Sequence, residues 1–315
     1  MQRRKLGNSG LEVAPLGLGG NVFGWTTDEA TSFQLFDAFV GAGFNLVDTA
    51  DTYSGWVAGH KGGESETVIG KWLVRPGNRR KIVIATKVGM KMPSGKEGLS
   101  KAHIIASANE SLARLQTDYI DLYQSHIDDP KIPLEETLRA HEELIKQGKV
   151  RAIGASNYTA ERLAEALDVS KQQGLPRYES LQPQYNLYTR TDFEAKLQTL
   201  CLKEHLGVIP YFSLAAGFLT GKYRSEKDLP GSSREGRVKQ YLNERGYRIL
   251  GALDRVAKDA GATCAQVALA WLMARPGITA PLASATSTSQ LKELMGAADL
   301  KLSAEATAIL DQASA

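Results

Sequence analysis

The sequence predicts an α/β fold, a (β/α)8 barrel. Three observations carry that expectation. Short apolar runs alternate with longer amphipathic segments over almost all of the 315 residues. Several of the runs are apolar on consecutive residues, as strands buried on both faces should be. The fingerprint of the competing doubly wound sheet is missing, because Gly17-Leu18-Gly19-Gly20 continues into Asn21-Val22 and breaks the G-x-G-x-x-G spacing. Closed α/β barrels run to ~250 residues as one domain. No repeat or low-complexity linker interrupts the chain, so residues 1–315 are expected to form a single domain.

The elements follow in order. Residues 3–13 read as a hairpin around Gly7-Asn8-Ser9-Gly10, expected to plug the bottom of the barrel. Strands are expected at 14–20, 44–50, 82–88, 119–126, 151–157, 180–186, 207–214 and 279–285, the first and sixth being weak on propensity alone. Asp28, Ser100 and Thr159 are suited to cap helices over 29–41, 101–115 and 160–173. Segment 134–147 has helical spacing and stops at Gly148. Further helices are expected at 64–74, 192–204, 247–260, 263–274, 289–297 and 303–313. Residues 222–246 are polar and long, a loop length usually functional or mobile.

Composition narrows the function. Hydrophobic residues are 43% and charged residues 23%, an ordinary globular balance. A net charge of +3 from 38 basic and 35 acidic side chains argues against nucleic acid as a partner. Two cysteines without a C-x-x-C, Cys201 and Cys264, exclude a disulfide scaffold and a thiolate zinc site. The start, MQRRKLGNSG, has no apolar run behind its charges, and no run of about 18 uncharged apolar residues follows, so neither a secretory signal nor a membrane span is expected. A cytoplasmic location is the expectation.

Active sites of such barrels lie at the C-terminal ends of the strands. There the sequence places Asp48, with Tyr53 just beyond it, then Lys87, His126, and the pair Ser156-Asn157. A carboxylate, a phenol, an ammonium and an imidazole converging on one mouth suit proton transfer to a carbonyl oxygen. A free tyrosine has a pKa of about 10. A neighbouring lysine favours the phenolate and is expected to lower that value. Asp48 can hold the lysine, and His126 can orient the carbonyl. None of the four is a hydride source, so a reduction needs a nicotinamide. Taken singly, each has an ordinary structural role: a loop cap, a half-buried aromatic, a solvated charge, a core histidine. Only their conjunction at strand ends points to chemistry.

At these residues the sequence resembles the aldo-keto reductase superfamily, over nearly the whole chain. The segment Val47-Asp48-Thr49-Ala50-Asp51-Thr52-Tyr53, with Gly63-Glu64-Ser65-Glu66 and Ile69-Gly70, is similar to the first family signature, and Tyr119-Ile120-Asp121-Leu122-Tyr123 to the second. The closer likeness is to the bacterial reductases and potassium-channel β-subunits. The resemblance implies that Asp48, Tyr53, Lys87 and His126 form the catalytic tetrad. It also implies an extended nicotinamide cofactor bound without a Rossmann fold, NADP(H) in preference to NAD(H). Ser156, Asn157 and Gln182 would hold the carboxamide, and Tyr211 would stack on the ring. The backbone of Phe212, Ser213, Leu214, Ala215 and Gly217, with Lys222, would meet the pyrophosphate. Gly20 and Asn21 border the same site, and Ser284, Ala285, Thr286, Gln290 and Glu293 would cradle the adenosine end. Asn21, Phe23, Trp25 and Trp56 are the expected walls of the carbonyl pocket.

Two departures stand out. Relatives that use NADP often carry a basic residue in the last segment, whereas this chain has Thr286 and Gln290, which offer no Coulomb attraction to a phosphate. The usual Ser-Pro after the stacking aromatic is replaced by Phe212-Ser213. The implied activity is reduction of an aldehyde or ketone, or oxidation of an alcohol. One alternative is a cofactor-binding regulatory subunit of the channel β type with slow turnover. A metal-dependent barrel hydrolase would need convergent ligands. Of five histidines (60, 103, 126, 141 and 205), three fall within helix patterns, so no metal is expected.

Overall fold

The computed structural model describes residues 1–229, 231 and 234–315. The chain opens with β1 (Arg4–Lys5) and β2 (Glu12–Val13), which pair antiparallel with Arg4 opposite Val13. Then come β3 (Gly17–Gly19), α1 (Glu29–Gly41), β4 (Leu46–Asp48), α2 (Glu64–Leu73), β5 (Val83–Val88), α3 (Lys101–Leu115) and β6 (Ile120–Ser125). They are followed by α4 (Leu134–Lys146), β7 (Val150–Ser156), α5 (Ala160–Gln173), β8 (Tyr178–Gln182), α6 (Gln198–Lys203), β9 (Gly207–Val208), α7 (Glu235–Val238), α8 (Glu244–Ala260), α9 (Cys264–Ala274), β10 (Leu282–Ala283), α10 (Thr288–Met295) and α11 (Ala304–Ser314).

Strands β3 to β10 make one eight-stranded parallel sheet in the order β10-β3-β4-β5-β6-β7-β8-β9. Backbone hydrogen bonds from Thr279 N to Val208 O and from Leu282 N to Pro210 O bring its outer strands together. The curled parallel sheet, alternating with helices, is consistent with a (β/α)8 barrel. Two apolar clusters hold it. A large one lies between sheet and helices. A smaller one, inside the sheet, joins Leu46, Val83, Ala85, Leu122, Ala152, Ile209, Ala280 and Leu282 to Leu6, Leu11 and Val13 of the hairpin. The hairpin is tied down by polar bonds too. Asn45 accepts from Ala14 N and donates to Glu12 O, both at 2.9 Å.

The helix starts form where the cap chemistry puts them. Asp28, Ser100 and Thr159 accept from Thr31 N, His103 N and Arg162 N respectively. Elsewhere the boundaries move. The helix expected over 192–204 begins as a π-helical turn, Phe193–Leu197, before α6. The one expected at 247 starts three residues earlier, because Asn243 caps it through Gly246 N. The outer strands β9 and β10 are far shorter than the runs 207–214 and 279–285, and β3 is shorter than the run 14–20. Pro210 and Pro281 lack the N–H a ladder needs. The expected loop 222–246 contains short helical turns at Glu226–Asp228 and Lys239–Tyr241, α7, and the start of α8. Pro230, Ser232 and Ser233 of that loop lie outside the described residues. Among the described residues, no helix is long and apolar enough to cross a membrane.

Candidate active site

Asp48 ends β4, Lys87 is the penultimate residue of β5, and His126 follows the last residue of β6. Parallel strands put these ends on one rim. The run Val-Ile-Ala-Thr carries Lys87 into the interior, where it has no exposed surface. Its Nζ donates to Asp48 Oδ2 at 2.7 Å, to the Thr49 carbonyl at 2.7 Å and to Tyr53 Oη at 3.0 Å. Burial by itself lowers the pKa of this ammonium. The Asp48 carboxylate and the Tyr53 oxygen outweigh that and raise its pKa above the usual lysine value. Lys87 is therefore a cation at neutral pH.

The phenol departs from expectation. Burial pushes the Tyr53 pKa up; Lys87 pulls it down and Asp48 pushes it up again, so the net shift is upward. The lysine acts in the expected direction but does not win. Tyr53 is thus protonated at neutral pH, a proton donor in waiting. His126 lies beside it, ring centroids 6.0 Å apart. Burial and the Lys87 charge hold its imidazole well below the ordinary histidine value, so it is neutral. Its Nδ1 is buried with no partner among the described residues.

Around this centre the other expected residues separate into groups. Ser156 donates to Gln182 O, and Asn157 donates to His126 O and Ser156 Oγ. Tyr211 donates to Asn157 Oδ1 at 2.7 Å, which ties the aromatic to the rim of the site. Gln182 turns its amide to Asp48 Oδ1 at 2.8 Å. Ser213 donates to Pro210 O. Ser284 donates to Asn21 Oδ1 at 2.6 Å, so the two ends of the chain meet here. Thr286 donates through both N and Oγ1 to Gln290 Oε1, each at 3.0 Å. Those two neutral residues close on each other. Ala285 is buried, and the Glu293 carbonyl accepts from Gln266.

Trp25 and Trp56 meet edge to face at 5.5 Å, and Trp56, 47% exposed, stands 6.0 Å from Tyr53. Phe23 does not join that wall. It is fully buried against Phe36, ring to ring at 4.6 Å, and belongs to the core.

The residues present fit a phosphate-bearing cofactor. Ala215, Ala216 and Gly217 all have positive φ (47°, 55° and 95°), a tight turn in which Ala215 N donates to Phe212 O and Gly217 N to Leu214 O. A Cβ on Gly217 would stand 3.5 Å from Lys222 Cε and 3.7 Å from its Nζ, ordinary contact distances, so this turn lies directly beside the exposed Lys222 ammonium. At Gly20 the chain itself takes the space: a Cβ there would lie 2.6 Å from Asp48 O, so only glycine lets the two backbones pass this close.

The sequence did not single out Gln124. It is fully buried on β6, with Nε2 3.4 Å from Asp48 Oδ1. The signal was there: in a strand, residues two apart share a face, so Gln124 faces as His126 does. A second missed group is the cluster of Asp51, Glu66 and Arg114. Glu66 accepts from Thr86 Oγ1 at 2.6 Å and from Arg114 Nε at 2.7 Å. Asp51 Oδ1 is buried without a partner among the described residues. Burial, then the Glu66 charge, push the Asp51 carboxyl up to about 8, against the pull of Arg114, the Thr52 N–H and Lys87.

Comparison with known proteins places this geometry. A sequence profile described as "Aldo/keto reductase family" matches residues 15–315. "Protein tas" of Escherichia coli (strain K12) is 32% identical over 336 aligned residues, covering 99% of this chain and 97% of the relative. "Uncharacterized oxidoreductase YrpG" of Bacillus subtilis (strain 168) is 35% identical over 320, covering 99% and 95%. "Probable voltage-gated potassium channel subunit beta" of Oryza sativa subsp. japonica is 33% identical over 310, covering 95% and 92%.

Proposed function

The chain belongs to the aldo/keto reductase family, a family of oxidoreductases that generally use NAD(P)H, and on that premise we propose that it reduces an aldehyde or ketone to an alcohol, or runs in reverse, with Tyr53 as the acid or base. One observation carries the reading: a fully buried lysine bonds at once to a carboxylate at 2.7 Å and to a phenol at 3.0 Å, at the ends of parallel strands.

When bound, the reduced nicotinamide supplies the hydride. The chain's own groups handle the proton. The Tyr53 phenol gives its proton to the carbonyl oxygen as charge develops there. The phenolate left behind is paired with the Lys87 ammonium, which Asp48 holds in place. The neutral His126 ring donates a hydrogen bond to the same oxygen and orients it. In the oxidative direction the phenolate takes the alcohol proton.

Ser156, Asn157 and Gln182 hold the carboxamide in this reading, and Tyr211 packs on the ring. The backbone of Phe212–Ala215 and Gly217, with Lys222, takes the pyrophosphate. Gly20 and Asn21 border the cofactor, and Ser284, Ala285, Thr286, Gln290 and Glu293 take the adenosine end. NADP(H) is the preferred cofactor by family habit. Trp25 and Trp56 face the substrate. The same reading takes residues 1–315 as one domain, a closed barrel with its hairpin seated across the end opposite the site.

The test is Tyr53→Phe, which removes the transferable proton and little else. Carbonyl-dependent NADPH oxidation should fall by ~10²–10⁴, the usual worth of an acid–base group, while NADPH affinity by fluorescence titration stays within about twofold. Near-parental turnover would sink the assignment. Low turnover already in the parent, with tight cofactor binding, would favour a regulatory subunit instead.

A further inference from the structure

Asp48 is held on both oxygens. Oδ2 faces Lys87 and, at 3.5 Å, Tyr53 Oη. Oδ1 faces two glutamines: Gln182 Nε2 at 2.8 Å and Gln124 Nε2 at 3.4 Å. The glutamines also meet each other, Gln182 Nε2 to Gln124 Oε1 at 3.4 Å. All three side chains are buried. A carboxylate only accepts, so both amides must turn their NH2 groups toward it.

The fold makes room for this arrangement. Gln124 pairs with Lys87 on one side and with Gly154 on the other. A Cβ on Gly154 would stand 3.2 Å from Gln124 Cγ and 2.3 Å from Ser180 Oγ. The strand beside Gln124 thus carries no side chain where its own must lie. On the same face of β6, toward the strand's start, Leu122 sits in the inner apolar cluster. Two buried amides in place of such residues are costly unless they are hydrogen-bonded. Their bonds converge on one acceptor, Asp48 Oδ1.

We propose that Gln124 is a positioning residue for the proton-transfer centre: with Gln182 it clamps the outer oxygen of Asp48, so that the inner oxygen stays between the Lys87 ammonium and the Tyr53 hydroxyl. Gln124 touches neither substrate nor the reacting atoms; it acts through Asp48. The inference rests on the reading of Tyr53 as acid or base. The charged and titratable groups facing Tyr53 are Asp48 on β4, Lys87 on β5 and His126 beyond β6. Without the clamp, the carboxylate is free to rotate and its charge is less satisfied. Its upward push on the phenol, now only partly offset, then grows.

The experiment compares Gln124→Met and Gln124→Glu with the parent and with Tyr53→Phe. The probes are NADPH with 4-nitrobenzaldehyde, and ultraviolet difference titration of tyrosinate, where the difference between parent and Tyr53→Phe isolates Tyr53. Gln124→Met should lower kcat roughly tenfold, the low end for a hydrogen bond to a charged group, as its 3.4 Å length warrants, and leave KM for the aldehyde and Kd for NADPH within about twofold. The Tyr53 ionisation midpoint should move to higher pH. Gln124→Glu keeps the shape but presents an acceptor, so its activity should be depressed at neutral pH and recover toward acid pH as the new carboxyl protonates and donates. A folded Gln124→Met with parental kcat and an unmoved Tyr53 midpoint would overturn the proposal. If Gln124→Met does not fold, a parental pH profile in Gln124→Glu overturns it equally. An active Tyr53→Phe would instead bring down the functional reading beneath it.

Discussion

A lysine with no exposed surface survives as a cation only because its charge is matched on the spot, and Lys87 is matched by Asp48 at 2.7 Å. Lys87→Met would leave the Asp48 carboxylate buried without its countercharge. Breaking such a pair costs ~3–5 kcal/mol, so denaturant melts should show a clear loss of stability together with a large loss of turnover. Parental stability and activity would mean that the pair is not what holds Tyr53. Asp51 behaves in the opposite way. Its carboxyl is raised to about 8 in the fold, against about 3.9 when unfolded. The folded chain therefore holds a proton that the unfolded chain releases. Its contribution to stability is neutral below the unfolded value, becomes unfavourable as pH rises, and levels off above about 8. Asp51→Asn should melt higher than the parent at pH 8, with the gap closing toward pH 4; equal melting curves at both would refute this. The four central side chains could be read from the sequence because each lies at or just beyond the end of a strand. Asp51 could not, since its shift is set first by burial and then by Glu66, against Arg114, all of which only the fold provides. The phenol's shift was misjudged for the same reason: a sequence displays the lysine, but not the depth of burial that outweighs it.

At the scale of elements, local chemistry was the readable part. The caps at Asp28, Ser100 and Thr159 work within three residues, and all three form. Strand length was not readable, because it depends on which neighbour accepts the ladder. Asn45 shows how a single side chain joins elements. It satisfies the N–H of Ala14, which is fully buried, and the carbonyl of Glu12. Asn45→Ala would orphan that N–H at a cost of ~1–3 kcal/mol, and hydrogen exchange should rise across β1 and β2 before the rest of the sheet. Uniform exchange would show that the hairpin is held by its leucines alone. The turn before α10 is where the cofactor preference can be tested. Thr286 spends both its N–H and its hydroxyl on Gln290, and neither residue is charged. We expect NADPH to be used with only a modest preference over NADH. Thr286→Arg should raise the ratio of kcat/KM for the two cofactors by about tenfold, since charge-assisted bonds are roughly twice as strong as neutral ones. A strong parental preference, unmoved by the arginine, would place the phosphate contact elsewhere.

At the scale of the whole molecule, alternation of strand and helix was enough to anticipate a parallel eight-stranded sheet. The meeting of its outer strands was not legible, because Val208, Pro210, Thr279 and Leu282 show no mutual pattern in sequence. That meeting has a consequence for how the protein comes into being. β3 is made long before its partner β10, and β9 waits for the same stretch. Arg4 likewise reaches the carbonyls of Met273 and Ile278. On the ribosome, a growing chain therefore presents two unpaired strand edges until the segment around Leu282 has emerged. Such edges recruit other chains, and contacts this distant in sequence form slowly. Translational pausing upstream of Leu282, or a shortage of chaperones, should then harm the yield of this protein far more than any single loss of side-chain contact.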